Sequence, residues 1–352
     1  MDLKIAVLSG DGIGPEVNKI AVQVLEIIAH KLGHEFEFVD GLVGAIAIDE
    51  TGNPLPDETL ALCKKSDAVL FGAIGDPKYD NNPDAKVRPE QGLLKLRKEL
   101  DLFANIRPIK TFDDLIDQSP LKKHIVEGVD MVIYRELTGG LYFGKKQLSA
   151  DGKTASDLCQ YHEFEIARIT HLAFQAAQNR RKKVTLVDKA NVLETSRLWR
   201  KVVKKIAENY PDVQLDFLFV DNCAMQMILN PKQFDIILTE NLFGDIISDQ
   251  GSVIGGSIGI LPSASIGTKH AMFEPIHGSF PQAKGLNIAN PIAAVLSAAM
   301  LLEHFKLFEE AKLVEKAIDF VLKNKFVTKD LNSNSVFGTK EVGQKIIDYI
   351  YN

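Results

Sequence analysis

The chain has 352 residues, of which 45% are hydrophobic and 25% charged, and it carries a net charge of −6. Its length exceeds what one core sustains and points to two domains. Its negative balance argues against non-specific binding to nucleic acid or an anionic membrane, which needs a basic surface, while leaving room for a local basic pocket.

Residues 5–8 form an apolar run that leads into VLSGDGIGPE. Val17, Ile20, Ala21, Val24, Leu25 and Ile28 then recur at helical spacing, so a strand, a tight turn and a helix over 15–30 are predicted. Pro15 suits a first helical turn. Gly10, Gly12 and Gly14 read G-x-G-x-G, whereas the dinucleotide fingerprint is G-x-G-x-x-G. The turn is therefore open to two readings, a ligand loop or glycines that supply positive φ. Further strand-like runs lie at 36–39, 68–71, 131–134, 184–187, 215–220 and 234–238. Helical patterns at 56–65, 89–100, 163–179, 195–209 and 242–250 lie mostly between them. This alternation predicts an α/β architecture.

The glycine-rich passages 72–89 and 251–267 read as joints or ligand loops. Residues 138–162 are polar and irregular, too long for an ordinary connection, and predict a protruding arm. Residues 290–351 carry three helical patterns, with Phe308, Ala311, Val314, Ala317, Ile318, Val321 and Leu322 on one face, and these helices need a sheet to cover. Composition marks no domain boundary: there is no fixed repeat and no Ser- or Pro-rich linker. Cys63, Cys159 and Cys223 are widely spaced and form no C-x-x-C pair, which points to neither a disulfide framework nor a structural zinc site. The late apolar run at 292–302 is too short to span a bilayer, and a cytoplasmic location is expected.

The sharpest chemical feature is NLFGDIISDQGS. Asp245 and Asp249 stand four apart on a predicted helix and share a face, where like charges repel unless a cation lies between them. A hard divalent cation such as Mg²⁺ or Mn²⁺ would meet that need. Asp221, closing the strand-like run 215–220, is a third candidate, because ligand sites in α/β sheets form beyond the carboxyl ends of strands. Arg97, Arg107 and Arg135 supply opposite charge in forks suited to carboxylates. Taken singly, such arginines are ordinarily surface ion pairs; three of them with a metal describe a pocket for a small polyanionic acid. Lys189, just past the run 184–187, is a candidate general base, and Tyr142 the matching acid.

The segments GDGIGPE, LLKLRKELDLFANIRP, RELTGGLYFG, VDKANVLE, NLFGDIISD, GSIGILPSAS, FEPIHGS and NIANP run in order from residue 10 to 291. The sequence resembles the isocitrate/isopropylmalate dehydrogenase family of β-decarboxylating dehydrogenases. That resemblance implies the family's two-domain α/β fold rather than a Rossmann fold. Residues 1–102 and 256–352 would form a discontinuous cofactor-side domain, and 103–255 a dimerisation and substrate/metal domain. It implies NAD as cofactor with Mg²⁺ or Mn²⁺, oxidation of a 2-hydroxy acid carrying a 3-carboxylate, and loss of that carboxylate as CO₂. It makes Arg97, Arg107 and Arg135 the carboxylate ligands and Asp221, Asp245 and Asp249 the metal ligands, with Asp221 also near substrate. Lys189 becomes the base for the hydroxyl and Tyr142 the acid for C3. Cofactor contacts fall on Ile13, Pro77, Glu90, Glu274, His277, Gly278, Ser279, Gln282 and Asn290. Lys189 and Asp221 would cross into the neighbouring subunit of a homodimer, clasped by the arm.

Within the family the chain resembles, substrate choice turns on the helix before Arg97, where Glu90, Leu93, Leu94 and Arg97 share a face; two leucines beside the arginine that the resemblance makes a carboxylate ligand would accept an isopropyl group. An isocitrate enzyme needs polar groups there. Two departures stand out. HGSFPQ, with Phe280 and Gln282, replaces the common HGSAPD. Gln282 can bond a ribose hydroxyl but lacks the charge that would repel the extra phosphate of NADP. Glu240 in LTEN stands where a small residue is common. The competing reading is a regulatory subunit without turnover, against which the presence of Lys189, Tyr142 and all three aspartates speaks.

Overall fold

The structure is a computed structural model that describes residues 1–81 and 85–352. Part of the glycine-rich passage 72–89, residues 82–84, therefore lies outside the described residues. The strands are β1 (Asp2–Gly10), β2 (Glu35–Asp40), β3 (Ala68–Ala73), β4 (Ala104–Lys110), β5 (Asp130–Glu136), β6 (Lys146–Leu148), β7 (Ala155–Asp157), β8 (Lys183–Asp188), β9 (Gln214–Phe219), β10 (Ile236–Thr239), β11 (Pro262–Ile266) and β12 (Ala271–Pro275). The chain divides into two compact units, Met1–Leu102 with Gly256–Asn352, and Phe103–Gly255.

In the first unit the strand order is β2-β1-β3-β12-β11. β1 pairs in parallel with β2 and β3, β12 in parallel with β3, and β11 returns antiparallel to β12. β3 is buried on both faces, as an apolar run inside a largely parallel sheet must be. The helix Gly14–Leu32 buries Val17, Ile20, Ala21, Val24, Leu25 and Ile28 and ends at Gly33, whose left-handed φ of 74° lets its N–H return to Ala29. The helix Ile292–His304 is buried nearly all round, and the amphipathic helices Phe308–Lys323 and Thr339–Tyr351 complete the C-terminal part.

In the second unit the order is β4-β5-β10-β8-β9, with β4 antiparallel to β5 and the other neighbours parallel. Trp199, Val203, Ile169 and Phe174 form one core with Val184, Leu186, Ile236 and Leu238; Ile133, Ile237, Phe234, Met227 and Ile247 form another. Residues 138–162 contain the antiparallel ribbon β6–β7, whose six residues are all exposed.

The structure departs from the sequence expectations in several places. β4 was not expected as a strand because Arg107 and Pro108 interrupt its apolar pattern, yet it pairs along its whole length with β5. The passage 251–267 is not a continuous loop, since the helix Asn241–Gly255 runs through Gly251 and β11 begins at Pro262. β11 hides because Ser263 and Ser265 look solvated, whereas both are buried with their hydroxyls donated to Glu274. β9 ends at Phe219, so Val220 and Asp221 open the next helix and do not close the strand.

Trp199 is fully buried and its indole N–H has no partner, so its contribution is packing alone. Trp199→Ala is expected to cost about 3–5 kcal/mol in urea unfolding, the usual range for an aromatic emptied from a core; a loss under about 1 kcal/mol would mean that Trp199 does not pack with Ile169 and Phe174 of the helix Glu163–Gln178.

Candidate active site

Arg107 and Arg135 come from neighbouring strands. Asn105 lies opposite Arg135 in the β4–β5 register, so Arg107, two residues further on, shares that face as a diagonal neighbour. Both guanidiniums are buried and cannot shed their charge, so each needs acceptors. Arg107 donates Nε to Asn105 Oδ1 at 2.5 Å and Nη1 to Ser248 Oγ at 2.5 Å. It stands 3.8 Å from Asp245 and 3.6 Å from Asp249. Arg135 donates Nε to the Asn241 carbonyl at 3.0 Å and Nη2 to Asn241 Oδ1 at 2.8 Å, and its Nη1 bonds Asp245. Gly244 makes this approach possible, since a Cβ there would run into the Arg135 side chain. The repulsion between Asp245 and Asp249 on one helix face is thus offset by arginine within the chain itself.

Tyr142, in a single helical turn over Gly140–Tyr142, donates its hydroxyl to Asp245 Oδ2 at 2.7 Å. Burial, and then the acceptor role and charge of Asp245, push its phenol up to about 12, which keeps the proton on oxygen at neutral pH. Lys189 follows β8 directly and donates to Asp221 Oδ1 at 2.6 Å. That ammonium holds the Asp221 carboxyl below the usual carboxylate range. Among the described residues no group of three or more His, Cys, Asp or Glu gathers as a metal site, so Asp221, Asp245 and Asp249 are not assembled as a triad within one chain.

In the first unit, Arg97 is buried on the helix Pro89–Glu99. Its Nη2 donates to Glu274 at 2.9 Å, while its Nε is buried without an acceptor. Leu93 packs partly against the core beside Leu96, and Leu94 is half-buried; Glu90 is exposed on the same helix. The N–H groups of the GDGIG turn point into the protein: Asp11 to Ala73 at 2.7 Å, Ile13 to Ser279 at 2.8 Å and Gly14 to Asp11 at 2.9 Å. Gly10 and Gly12 take φ of 69° and 58°, and a Cβ on Gly12 would strike the Ser279 carbonyl. The glycines serve close approach of backbones, and the turn is not a phosphate cradle.

The remaining cofactor-side candidates differ in what they have left to offer. His277 bonds the Gly278 carbonyl through Nδ1 at 3.0 Å, has a buried Nε2 without a partner, and is kept neutral by burial. Gly278 and Gln282 are exposed, and Pro77 opens a short helix capped by Asp76. The Asn290 side chain is engaged within the protein, its oxygen accepting the Ile292 N–H and its nitrogen donating to Asp330, both at 3.0 Å. Sequence reasoning missed Asn105, Asn241 and Ser248, the neutral groups that hold the arginines; the only signal for Asn241 is its place at the start of NLFGD. It also missed Glu136, which anchors the arm by accepting the N–H groups of Thr138 at 2.7 Å and Gly139 at 2.9 Å.

Glu240, unexplained by sequence, is 4% exposed, and its Oε2 has no partner. Burial, with Glu136 and Asp188 nearby, pushes its carboxyl up to about 7.

The family model for isocitrate/isopropylmalate dehydrogenases matches residues 4–346. The chain is 54% identical to a 3-isopropylmalate dehydrogenase of Bacteroides fragilis, with 99% of each chain covered. It is 53% identical to the enzyme of that name from Aquifex aeolicus, covering 98% of this chain and 96% of the other, and 53% identical to that of Bacillus subtilis, covering 97% and 95%. Among solved structures, an isocitrate dehydrogenase from Methylococcus capsulatus matches with a TM-score of 0.91 at 34% identity, over 99% of this chain and 100% of that one. A beta-decarboxylating dehydrogenase from Thermococcus kodakarensis matches with 0.80 at 36%, over 99% and 96%.

Glu240 generates a pH prediction. Its folded value lies above the ordinary 4.5, so between the two values the folded chain holds more protons than the unfolded one, and stability falls as pH rises through that window. The loss is on the order of 3 kcal/mol at most, from about 1.4 kcal/mol per pKa unit. Glu240→Gln is expected to flatten that slope and to be the more stable protein at pH 8. Parallel urea midpoints for the two proteins from pH 5 to 8 would refute this.

Proposed function

The chain belongs to the isocitrate/isopropylmalate dehydrogenase family, and on that premise we propose that it oxidises and decarboxylates (2R,3S)-3-isopropylmalate to 4-methyl-2-oxopentanoate and CO₂ in leucine biosynthesis. It is a decarboxylating dehydrogenase acting on a small molecule with a nicotinamide cofactor and a divalent metal. The finer assignments, NAD⁺ and Mg²⁺ or Mn²⁺, are part of the proposal. The observation that carries it is the pair of buried guanidiniums, Arg107 and Arg135, set among Asp245, Asp249 and a hydrogen-bonded Tyr142.

Arg97, Arg107 and Arg135 bind the two substrate carboxylates, and Leu93 and Leu94 accept the isopropyl group. Asp245 and Asp249, two hard oxygen donors on one helix face, fit a divalent cation and would hold it with Asp221 of the partner subunit. When bound, the ion would draw negative charge from the substrate oxygen. Lys189 takes the proton of the C2 hydroxyl, and the nicotinamide ring, when bound, would supply the acceptor for the C2 hydride. The bond from C3 to its carboxylate then breaks, CO₂ departs, and Tyr142 returns a proton to C3. The placement of Tyr142 between Asp245, to which it donates, and the Arg135 guanidinium over its ring supports that role. On the cofactor side the contacts are Ile13, Pro77, Glu90, Glu274, His277, Gly278, Ser279, Gln282 and Asn290, with Asn290 acting through its backbone.

Lys189 and Asp221 are joined by a hydrogen bond, which supports their delivery as one unit to the partner's site. Exposed Met225, Ile228 and Leu229 on the helix bearing Asp221, and Ile246 and Val253 on the helix bearing Asp245, support a homodimer, because apolar side chains in such number favour a partner surface. No helix among the described residues is long and apolar enough to cross a membrane, and we assign the enzyme to the cytoplasm with its biosynthetic relatives.

With 3-isopropylmalate, NAD⁺ and Mg²⁺ or Mn²⁺, the protein is expected to form NADH, and chelation should stop it. Faster reduction of NAD⁺ with isocitrate, homoisocitrate, tartrate or malate would overturn the substrate. Lys189→Ala is expected to lower kcat by at least about a hundredfold, the lower bound for loss of a general base, while leaving NADH binding intact; near-normal turnover would remove Lys189 from the mechanism.

A further inference from the structure

The GDGIG turn carries an acid between its glycines that none of the roles above uses. Asp11 is buried, 5% exposed, and its carboxylate accepts three backbone N–H groups: Ala45 at 2.8 Å, Ile46 at 2.9 Å and Gly75 at 2.9 Å. Ala45 and Ile46 open the helix Ala45–Thr51, and Gly75 lies just before Pro77. The chain of bonds continues. The Gly75 carbonyl accepts the Ser279 hydroxyl at 2.7 Å, the Ser279 carbonyl accepts the Ile13 N–H at 2.8 Å, and the Gly14 N–H returns to the Asp11 carbonyl at 2.9 Å. Three segments distant in sequence are thereby closed into one ring. The neighbouring glycines are fitted to it, for a Cβ on Gly44 would strike Asp11 Oδ2. Glu90 also approaches this point, its Oε1 lying, like the Ser279 Oγ, 3.4 Å from where a Cβ on Gly75 would stand.

We propose that Asp11 is the positioning residue of the cofactor site, fixing where Ile13, Ser279 and the segment from Gly75 to Pro77 stand relative to one another. Affinity for the nicotinamide dinucleotide then depends on its carboxylate although Asp11 touches no cofactor atom. This rests on the proposed reading that those segments line the cofactor site. The physical reason is acceptor count. A carboxylate is acceptor-only and can serve three donors with two oxygens, whereas an amide of the same size offers one oxygen and turns N–H groups toward N–H groups. A buried donor left facing another donor moves the backbone that bears it. Desolvation raises the Asp11 carboxyl, and the three N–H bonds oppose that rise.

The test compares wild type with Asp11→Asn by steady-state kinetics, varying NAD⁺ and 3-isopropylmalate in turn, and by direct NADH titration. The KM for NAD⁺ and the Kd for NADH are expected to rise on the order of tenfold, the effect of one weakened polar contact, while kcat and the KM for 3-isopropylmalate stay within about twofold. The split between the two KM values is the readout, because a residue that served stability alone would not move one without the other. Unchanged NADH affinity in folded Asp11→Asn, or both KM values rising together, overturns the assignment. Should that variant not fold, Asp11→Glu keeps both acceptor oxygens but sets them one methylene further out, moving the three N–H groups they hold, and must show the same split. Wild-type protein that fails to bind NADH would sink the proposed function, whereas wild-type binding left intact by the substitution sinks only the role of Asp11.

Discussion

Two arginines that cannot be deprotonated are buried side by side on β4 and β5, and much of the second unit is arranged to satisfy them. An unpaired guanidinium in such a place costs several kcal/mol. Their register faces them toward one helix, and that helix supplies Asn241, Asp245, Ser248 and Asp249 along the side they meet. Gly244 leaves room for the approach. Asp245 is the shared acceptor of Arg135 and Tyr142, so the position of the phenol is tied to that of the Arg135 guanidinium. The positions of the guanidiniums and of the phenol are therefore set by one small network rather than by separate parts.

The first unit follows a different economy of groups. The loops around its GDGIG turn are held by backbone hydrogen bonds and by one buried carboxylate. The glycines between β1 and its helix allow main chain to meet main chain, which is why the motif looks like a phosphate finger in sequence while its N–H groups are taken up by Ala73, Ser279 and Asp11. Arg97 is the exception, a buried cation paired with Glu274 yet retaining one N–H without an acceptor.

The sequence revealed the elements whose pattern is apolar and regular. β1, β3, β5 and β8, the amphipathic helices and the Asp245–Asp249 spacing were all legible because burial and periodicity leave a mark on residue type. β4 and β11 were not, since an arginine and two serines are buried there by partners that only the fold provides. Asn105 and Asn241 escaped for the same reason: a neutral amide carries no sign of the cation it will accept. Asp221 was legible as an acid near a strand end, but its bond to Lys189 depends on β8 and β9 lying side by side. Glu240 was legible only as a departure, and its meaning came from Glu136 and Asp188 beside it.

The first unit is made of the two ends of the chain, and its sheet is completed by pairing β12 with β3, at Met272 opposite Val69 and Phe273 opposite Leu70. Between those partners lies the entire second unit, an unbroken stretch of chain with its own cores. During synthesis the second unit can therefore fold as soon as it has emerged from the ribosome. β1, β2 and β3, made first, must wait with an apolar edge unpaired until the ribosome has delivered β12. The earliest-made strands are the last to find their full set of neighbours, and the interval is set by the rate of translation rather than by the stability of the finished sheet.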